Sequence, residues 1–329
     1  MGVKIWSAPV ERSLLSFLLI CYNIVMRNIV KYKRITWVDI QDPTKEDVQY
    51  LEENFAVHAI PARQIIPPSW TTKVEHFTAH LFLVLFVPNY NKEHKTTRPR
   101  ELDVIVGKNF LITSHYHSIL PLKATFDGCA LYEEKKEEHM GKGTGFLLYH
   151  ILHKIWEDEG NKILHIENKL ILVEESIFQG REREMLREIS IIKADIIDFW
   201  SIVRPQKGVF TSLHDISAEF FGKETAHYFS HLRNHWARTM STLMIAKETI
   251  SSMEETNNAL LTDKTNQIVK LLTIFAVIVF PLSLLAAIFG MNTDYLPIVG
   301  LPGDFWIVTG LMFAGTILMI ALFKKKRWL

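Results

Sequence analysis

Residues 271–289 read LLTIFAVIVFPLSLLAAIF, nineteen residues without a charge, and residues 305–323 read FWIVTGLMFAGTILMIALF, nineteen more. At about 1.5 Å of rise per residue, each helix would reach ~28 Å, which is close to the thickness of a bilayer core. Pro281 would break a soluble helix, but it is tolerated in a membrane helix that packs against neighbours. We therefore predict transmembrane helix 1 over residues 268–289 and transmembrane helix 2 over residues 305–323.

The charges that flank these segments predict their orientation. Lys264 and Lys270 precede the first segment, and the basic tail at residues 324–329 begins with KKKR. The connecting loop, residues 290–304, has no Lys or Arg and carries two aspartates, one of them Asp294. Because positive residues stay on the cytoplasmic side, both ends of the chain are expected in the cytoplasm and the acidic loop outside the inner membrane.

The composition of the whole chain excludes several classes of protein. Of its 329 residues, 48% are hydrophobic and 22% are charged, and the formal net charge is +1. Without a basic excess, no nucleic-acid partner is expected. Two cysteines cannot form a disulfide framework. The loop at residues 141–145 reads GKGTG, but Lys136 stands where a phosphate-binding loop needs its first glycine, so no nucleotide partner is expected either.

Residues 26–140 combine strand and helix signals, which predicts a cytoplasmic α/β domain. Thr44 and Asp47 have the spacing of a capping box, which indicates the start of a helix. The apolar segment 74–87 predicts one long strand, and residues 101–115 predict a hairpin.

The segment before this domain is apolar but short. Residues 13–25 read SLLSFLLICYNIV, which is too short for a comfortable span. The segment resembles the hydrophobic part of a signal peptide, although no clear small-residue cleavage site follows it. We predict that residues 1–25 are a dispensable N-terminal extension. An interfacial helix and a third span are the alternatives.

A change of periodicity at residue 141 predicts a helical hairpin. Apolar residues recur at three- and four-residue spacing over residues 146–179 and 182–203, so residues 141–205 are expected to form two antiparallel helices. The polar faces of these helices are rich in acids, which are interpreted either as solvated surface or as a surface that attracts cations. These acids are Glu157, Asp158, Glu159, Glu174, Glu175, Glu182, Glu184 and Glu188.

A stalk helix is predicted over residues 206–267. From Thr225 to Phe289 there is no glycine and one proline, so the helix should continue for ~98 Å into transmembrane helix 1. The predicted fold class is therefore an α+β membrane protein. It has an N-terminal cytoplasmic α/β domain, a long helical hairpin, and a very long stalk helix that continues into the first of two C-terminal transmembrane helices.

A stripe of small and polar residues follows one face of this long helix. At 100° per residue, the stripe contains Glu255, Thr262, Asn266, Val269, Thr273, Ala276, Phe280, Ser283 and Ala287. Small residues also collect where membrane helices pack together, so a packing face is one interpretation. The other is the wall of a pore shared by several copies, in which Phe280 forms an apolar constriction that can gate by dewetting.

The first span ends in Gly290-Met291-Asn292. Together with Lys264-Thr265-Asn266 before the span, Pro281-Leu282-Ser283 within it and Tyr295-Leu296-Pro297 in the loop, this triplet resembles the signature of the CorA family of divalent-metal transporters. The resemblance is strong over residues 205–329 and weaker over residues 34–205. It implies a homopentamer in the lipid bilayer that takes up hydrated Mg²⁺ and requires no cofactor, with related members that carry Co²⁺, Ni²⁺ or Zn²⁺.

Carried onto this chain, the resemblance implies roles for individual residues. Gly290, Met291 and Asn292 would form the selectivity filter. The pore would be lined by Ser283, Phe280, Ala276, Leu272, Val269, Asn266 and Glu255. Asp294 in the outer loop would raise the local concentration of cations. Mg²⁺ sheds its water reluctantly, and a neutral Asn amide can bind the hydration shell without holding the ion too tightly.

The resemblance also implies a regulatory site, in which acidic residues between neighbouring cytoplasmic domains bind Mg²⁺ and hold the pore shut. The corresponding positions in this chain fall at His231 and near Arg63 and Gln64, none of which is acidic. Instead, His227, His231 and His235 follow at i, i+4 and i+8 on one helix face. Imidazoles at this spacing can bind Zn²⁺, Co²⁺ or Ni²⁺. They are interpreted either as ordinary polar residues of the stalk or as a regulatory site for a divalent metal or for protons.

Two other functions stay open at this point. One is a Zn²⁺ transporter of the same architecture, like the ZntB branch, with or without coupling to protons. The other is a membrane-anchored sensor or enzyme without transport. The chain has no HExxH, GxSxG or paired CxxC motif, so we predict that it is not an enzyme.

Overall fold

The computed structural model describes residues 27–91, 93, 95–292, 297–326 and 328. These residues form two compact units. The first unit takes in the described residues up to Glu175 together with Arg187–Ser252, and the second takes in Ser176–Leu186 and the described residues from Met253 onward. The predicted dispensable extension, residues 1–25, lies outside the described residues.

The first unit contains one mixed sheet. Its strands are β1 (Arg27–Tyr32), β2 (Ile35–Gln41), β3 (Lys73–His76), β4 (His80–Asn91), β5 (Thr96–Gly107) and β6 (Phe110–His115). Their order in the sheet is β1-β2-β6-β5-β4-β3. Neighbours are antiparallel except for β2 and β6, which run parallel with Thr36 opposite Phe110. The hairpin predicted over residues 101–115 is confirmed as part of β5 with β6.

The single strand predicted over residues 74–87 is wrong, because this segment is the β3–β4 hairpin. His76 lies opposite Leu81, and the backbone N–H of Phe77 donates to the carbonyl of His80 at 2.9 Å. The rings of Phe77 and His80 stack with centroids 5.0 Å apart. Both faces of the sheet are buried, so β4 is a nearly continuous hydrophobic run. The turn at residues 77–79, just before β4, therefore leaves little signal in the sequence.

Nine α-helices occur in the part of the chain that the structure describes. They are α1 (Lys45–Phe55), α2 (Ala59–Gln64), α3 (Leu120–Leu131), α4 (Glu133–Met140), α5 (Thr144–Phe178), α6 (Glu182–Val203), α7 (Lys207–Phe220), α8 (Thr225–Phe289) and α9 (Asp304–Lys325). The capping box predicted for α1 is present. The Asp47 N–H donates to Thr44 Oγ1 at 3.4 Å, and the Thr44 N–H donates to Asp47 Oδ2 at 2.9 Å.

The sheet is covered on both faces by helices of the first unit. On one face, fully buried Trp37 belongs to a cluster with Leu148 and Ile151 of α5. On the other face, Val38 belongs to a second cluster with Leu51 of α1. Fully burying a side chain of this size stabilises a fold by about 1.5–3 kcal/mol. These two clusters fix the sheet between its helices.

The long helices confirm most of the predicted outline. α5 and α6 form the hairpin expected within residues 141–205, and α8 runs without a break over Thr225–Phe289, 65 residues. The stalk predicted over residues 206–267 is not one helix, however. α7 is separate, and the chain turns at Gly222 with φ 111°, a backbone angle that a glycine adopts readily.

Among the described residues, α8 and α9 are the two helices long and apolar enough to cross a membrane. Each helix contains a strongly apolar segment of 18 residues, of which only 6% in α8 and 0% in α9 is buried within the chain. The core helix of a soluble protein would be mostly buried. These surfaces must therefore be covered by lipid or by other molecules.

Candidate ion pathway

The Gly290-Met291-Asn292 triplet follows directly after the last residue of α8. The backbone N–H of Gly290 donates to the Ala286 carbonyl at 3.0 Å, and that of Met291 donates to the Ile288 carbonyl at 3.2 Å. All three residues of the triplet are exposed. Because the C-terminal end of a helix carries a partial negative charge, a cation is favoured at this position.

The residues implied to line a pore all belong to the continuous helix α8. In the single chain, Ala276 is half-buried and the others are exposed, namely Glu255, Asn266, Val269, Leu272, Phe280 and Ser283. The side chain of Phe280 is 75% exposed. At 100° per residue, Leu272 lies about 120° from Asn266 and so beside the stripe rather than on it. The stripe is thus one accessible face of a single continuous helix.

The loop after the triplet is described in part. Asp294, which is predicted to attract cations, lies outside the described residues. Asp304 lies within them, at the start of α9. Its Oδ1 accepts from the Phe305 N–H at 2.7 Å, and its Oδ2 accepts from the Gly300 N–H at 3.2 Å. A carboxylate at a helix N-terminus is stabilised by the partial positive charge there.

Two acids that were interpreted as part of a solvated helix face are buried instead. Glu182 accepts a hydrogen bond from Lys264 Nζ at 2.6 Å, and this bond lowers the pKa of the carboxyl. The side chain of Glu159 is fully buried, and its burial raises its pKa to about 8 although Lys162 Nζ lies 2.7 Å away. The prediction of a solvated or cation-attracting face is therefore wrong for both residues.

The structure separates His227 from the other two predicted histidines, His231 and His235. The ring centroids of His231 and His235 lie 6.4 Å apart, whereas His227 contacts the ring of Tyr228. His153 of α5, which the sequence did not single out, takes the third place at 5.3 Å from His231 and 6.2 Å from His235. As their side chains stand, no three metal-ligating residues of the described chain are close enough to hold an ion.

The surroundings of His153 and His235 favour the neutral form of these two rings. Burial lowers the pKa of His153, and His231 lowers it further. Burial also lowers the pKa of His235, with further lowering by Arg238 and by the two other rings. Only Glu157 of the neighbouring carboxylates acts in the opposite direction on both groups.

Comparison with known proteins identifies the family. Residues 32–325 match the family described as CorA-like Mg²⁺ transporter protein. The chain belongs to the CorA family. The cobalt/magnesium transport protein CorA of Thermotoga maritima is 25% identical over 299 residues, which cover 89% of this chain and 83% of the relative. The protein of the same name from Methanocaldococcus jannaschii is 25% identical over 297 residues, which cover 90% and 92% of the two chains.

The fold agrees with that of a solved CorA protein over nearly the whole chain. The complete structure of the CorA magnesium transporter from M. jannaschii matches with a TM-score of 0.76 and 23% sequence identity, covering 91% of this chain and 94% of the other. The predicted family, fold class and membrane location are confirmed. This CorA-family chain is a divalent-cation transporter of the inner membrane with two C-terminal spans, and its relatives are transporters rather than enzymes.

Proposed function

We propose that this CorA-family chain is a homopentameric channel for the uptake of hydrated Mg²⁺, with Co²⁺ and Ni²⁺ as further cargo. The observation that carries the proposal is the continuous helix α8, whose polar stripe leads along one face to the Gly290-Met291-Asn292 turn. The relatives from T. maritima and M. jannaschii are named cobalt/magnesium transport proteins, which supports the same cargo.

A pore requires several copies of the chain if the two spans among the described residues are those that line it. Two helices cannot enclose a pore, and hardly any of the apolar surface of α8 and α9 is buried within one chain. Five copies of α8 around an axis would place each stripe residue in a ring. Lipid would then cover the outer surface of the spans.

Each ring would act on the ion through its own chemistry. Asn292 would bind the hydration shell at the outer mouth, because an amide oxygen attracts Mg²⁺ without removing its tightly held water. Ser283 and Asn266 would offer further oxygens along the path. Phe280, with Leu272 and Val269 deeper along the helix, would form apolar constrictions that close by dewetting. Glu255 would attract the ion towards the cytoplasmic exit.

The membrane potential supplies the driving force. At ~100 mV, a divalent ion that moves inward gains roughly 4.6 kcal/mol. This gain supports accumulation of the ion without ATP.

Flux through liposomes tests the proposal. The full chain is reconstituted with a Mg²⁺-sensitive dye inside, and uptake is measured with and without an imposed inside-negative potential. We expect potential-dependent Mg²⁺ uptake that Asn292→Ala abolishes. Asn161→Ala, which removes an exposed amide from α5, is the matched control and should leave uptake unchanged.

Other outcomes would overturn specific parts of the proposal. Uptake of Zn²⁺ but not Mg²⁺, driven by a pH gradient, would show that the chain is a zinc transporter of the same fold. Absence of any cation flux would favour a membrane-anchored sensor. Native mass spectrometry of the detergent-solubilised protein should give five chains, and any other number would contradict the pentamer.

A further inference from the structure

Two pairs of potential metal ligands face each other across two helices of the first unit. His153 and Glu157 are four residues apart on α5, and His231 and His235 are four residues apart on α8. Side chains four residues apart lie on the same face of a helix, and two histidines at this spacing can bind one zinc ion together. Ring contacts of His153 with both His231 and His235 show that the two pairs meet.

The separations between the rings are close to those of a zinc site. A tetrahedral Zn²⁺ bound about 2.0 Å from one nitrogen of each of three imidazoles places the ring centroids about 5 Å apart. The observed separations are 5.3 Å for His153–His231, 6.2 Å for His153–His235 and 6.4 Å for His231–His235. The nitrogen atoms do not converge on one point as the rings stand, and an approach of about 1 Å with ring rotation would make them converge.

The surrounding contacts allow this rotation. His231 is exposed, so its ring can turn without displacing core residues. The Nδ1 atom of His235 is buried and has no hydrogen-bond partner, a costly condition that a metal bond would relieve. The Tyr149 hydroxyl lies 3.5 Å from His231 Nδ1, where it could orient the ring and leave Nε2 free for a metal.

Glu157 supplies the fourth group. Its carboxylate hydrogen-bonds to Lys154 Nζ at 2.8 Å, and both side chains are about half exposed. Exchanging this exposed contact for a metal bond costs little, because exposed ion pairs contribute at most about 1 kcal/mol. Three imidazoles and one carboxylate are a donor set typical of Zn²⁺.

We propose that His153, Glu157, His231 and His235 form a binding site for one Zn²⁺ ion that links α5 to α8. All four residues belong to the first unit, whereas the residues of the proposed ion pathway, Glu255 to Asn292, belong to the second. The site is therefore separate from the pathway. Linking the two helices would make the stability of this unit depend on the metal.

Equilibrium binding of Zn²⁺ to the full-length protein in detergent tests the site. After removal of metals with a chelator, Zn²⁺ is titrated by competition with a chromophoric chelator in the presence of excess Mg²⁺. We expect one Zn²⁺ per chain. Since even hydrogen-bond partners of zinc ligands are worth about 10- to 100-fold in affinity, His153→Ala and His231→Ala should each weaken binding about 100-fold or more.

Control variants make the outcome specific. His227→Ala removes a histidine one turn from His231 that has no ring contact with the cluster, and it should bind Zn²⁺ as the wild type does. Co²⁺ bound in place of Zn²⁺ should show the intense visible absorption of a tetrahedral site, and His153→Ala should lose it. Equal Zn²⁺ affinity in His153→Ala and His227→Ala would overturn the proposal.

The proposals of a Zn²⁺ site and of a Mg²⁺ pathway can be tested separately. Asn292→Ala should lose Mg²⁺ uptake in liposomes and keep its Zn²⁺ site. Loss of Zn²⁺ binding in Asn292→Ala would mean that the metal binds in the pathway, which would overturn the separate site.

Discussion

Lys264 Nζ lies 2.6 Å from Glu182 Oε2, and this contact joins the turn of the α5–α6 hairpin to α8 within the second unit. A second contact lies seven residues earlier on α8, where Asn257 Nδ2 donates to the carbonyl of Glu182 at 3.0 Å. Seven residues are about two turns, so both contacts fall on one face of α8. The hairpin turn is therefore held at two points shortly before the first span begins.

Glu182→Gln is expected to loosen this hairpin turn. The substitution keeps the size of the side chain but removes the charge that strengthens the bond with Lys264. Limited trypsin digestion should then cut after Arg181 faster than in the wild type, with the cleavage site identified by mass spectrometry. Glu184→Gln alters an exposed acid of the same turn and should digest at the wild-type rate. Equal digestion of all three proteins would show that the contact does not hold the turn.

Phe280→Ala is expected to increase cation flux. If Phe280 forms an apolar constriction, its removal widens the path and lets it stay hydrated. Dye-loaded liposomes should then fill with Mg²⁺ faster at the same potential. Phe275 is the matched control, because it is also exposed but lies about 140° away around the helix. A similar increase in Phe275→Ala would argue against a pore wall along the stripe.

Asp103→Asn is expected to stabilise the protein at neutral pH and not at acid pH. The Asp103 side chain is buried, and its Oδ1 has no hydrogen-bond partner. Burial, followed by the nearby charge of Glu101, raises the pKa of Asp103 well above its ordinary value. Because this pKa is raised in the folded state, the protonated Asp103 carboxyl contributes stability below the unfolded-state pKa. That contribution is lost as the pH rises through the folded-state pKa.

Thermal unfolding of the full chain from pH 4 to pH 8 measures this effect. Asp103→Asn should match the wild type near pH 4 and exceed it near pH 7, by about 1.4 kcal/mol for each unit by which the pKa is raised. Asp215→Asn changes an exposed acid of α7 and should follow the wild-type curve. A constant difference at every pH would show that the ionisation of Asp103 is not the cause.

Two glycine-to-alanine changes are expected to alter the free energy of unfolding in opposite directions. A Cβ atom added at Gly145 would lie 2.5 Å from Cγ of Phe221, so Gly145→Ala should destabilise the fold by about 1–3 kcal/mol. Gly128 is helical, and a Cβ atom there would meet nothing within 4 Å. Gly128→Ala should therefore stabilise the fold by about 0.5–1 kcal/mol. Denaturant unfolding of both variants checks the signs, and a stabilised Gly145→Ala would contradict the close packing.

The features that could be predicted from the sequence are those with a local physical cause. The ends of α8 follow from a long run without glycine, and the start of α1 follows from the capping box at Thr44 and Asp47. The Gly290-Met291-Asn292 turn and the two spans were recognisable because their residues are contiguous. In each case, neighbours in the sequence decide the structure.

The features that were missed depend on contacts between distant residues. β1 was not predicted, because its side chains do not form a clear apolar alternation. The strand is stabilised by backbone pairing with β2, which its own sequence does not reveal. His153 joins His231 only because α5 packs beside α8. A histidine and an acid four residues apart, at His153 and Glu157, were a usable signal. Their partners on another helix were not visible from periodicity alone.

The parallel pairing of β2 with β6 has a consequence for the order of folding. The indole N–H of Trp37 finds its acceptor, Thr113 Oγ1, 76 residues later in the chain. β3, β4 and β5 can pair as local hairpins before that, whereas β2 has only β1 beside it until β6 docks. Non-local pairing is slow because the entropy of loop closure is lost before contacts compensate for it. The pairing of β2 with β6 should therefore form last in the sheet and should limit the folding rate of the first unit.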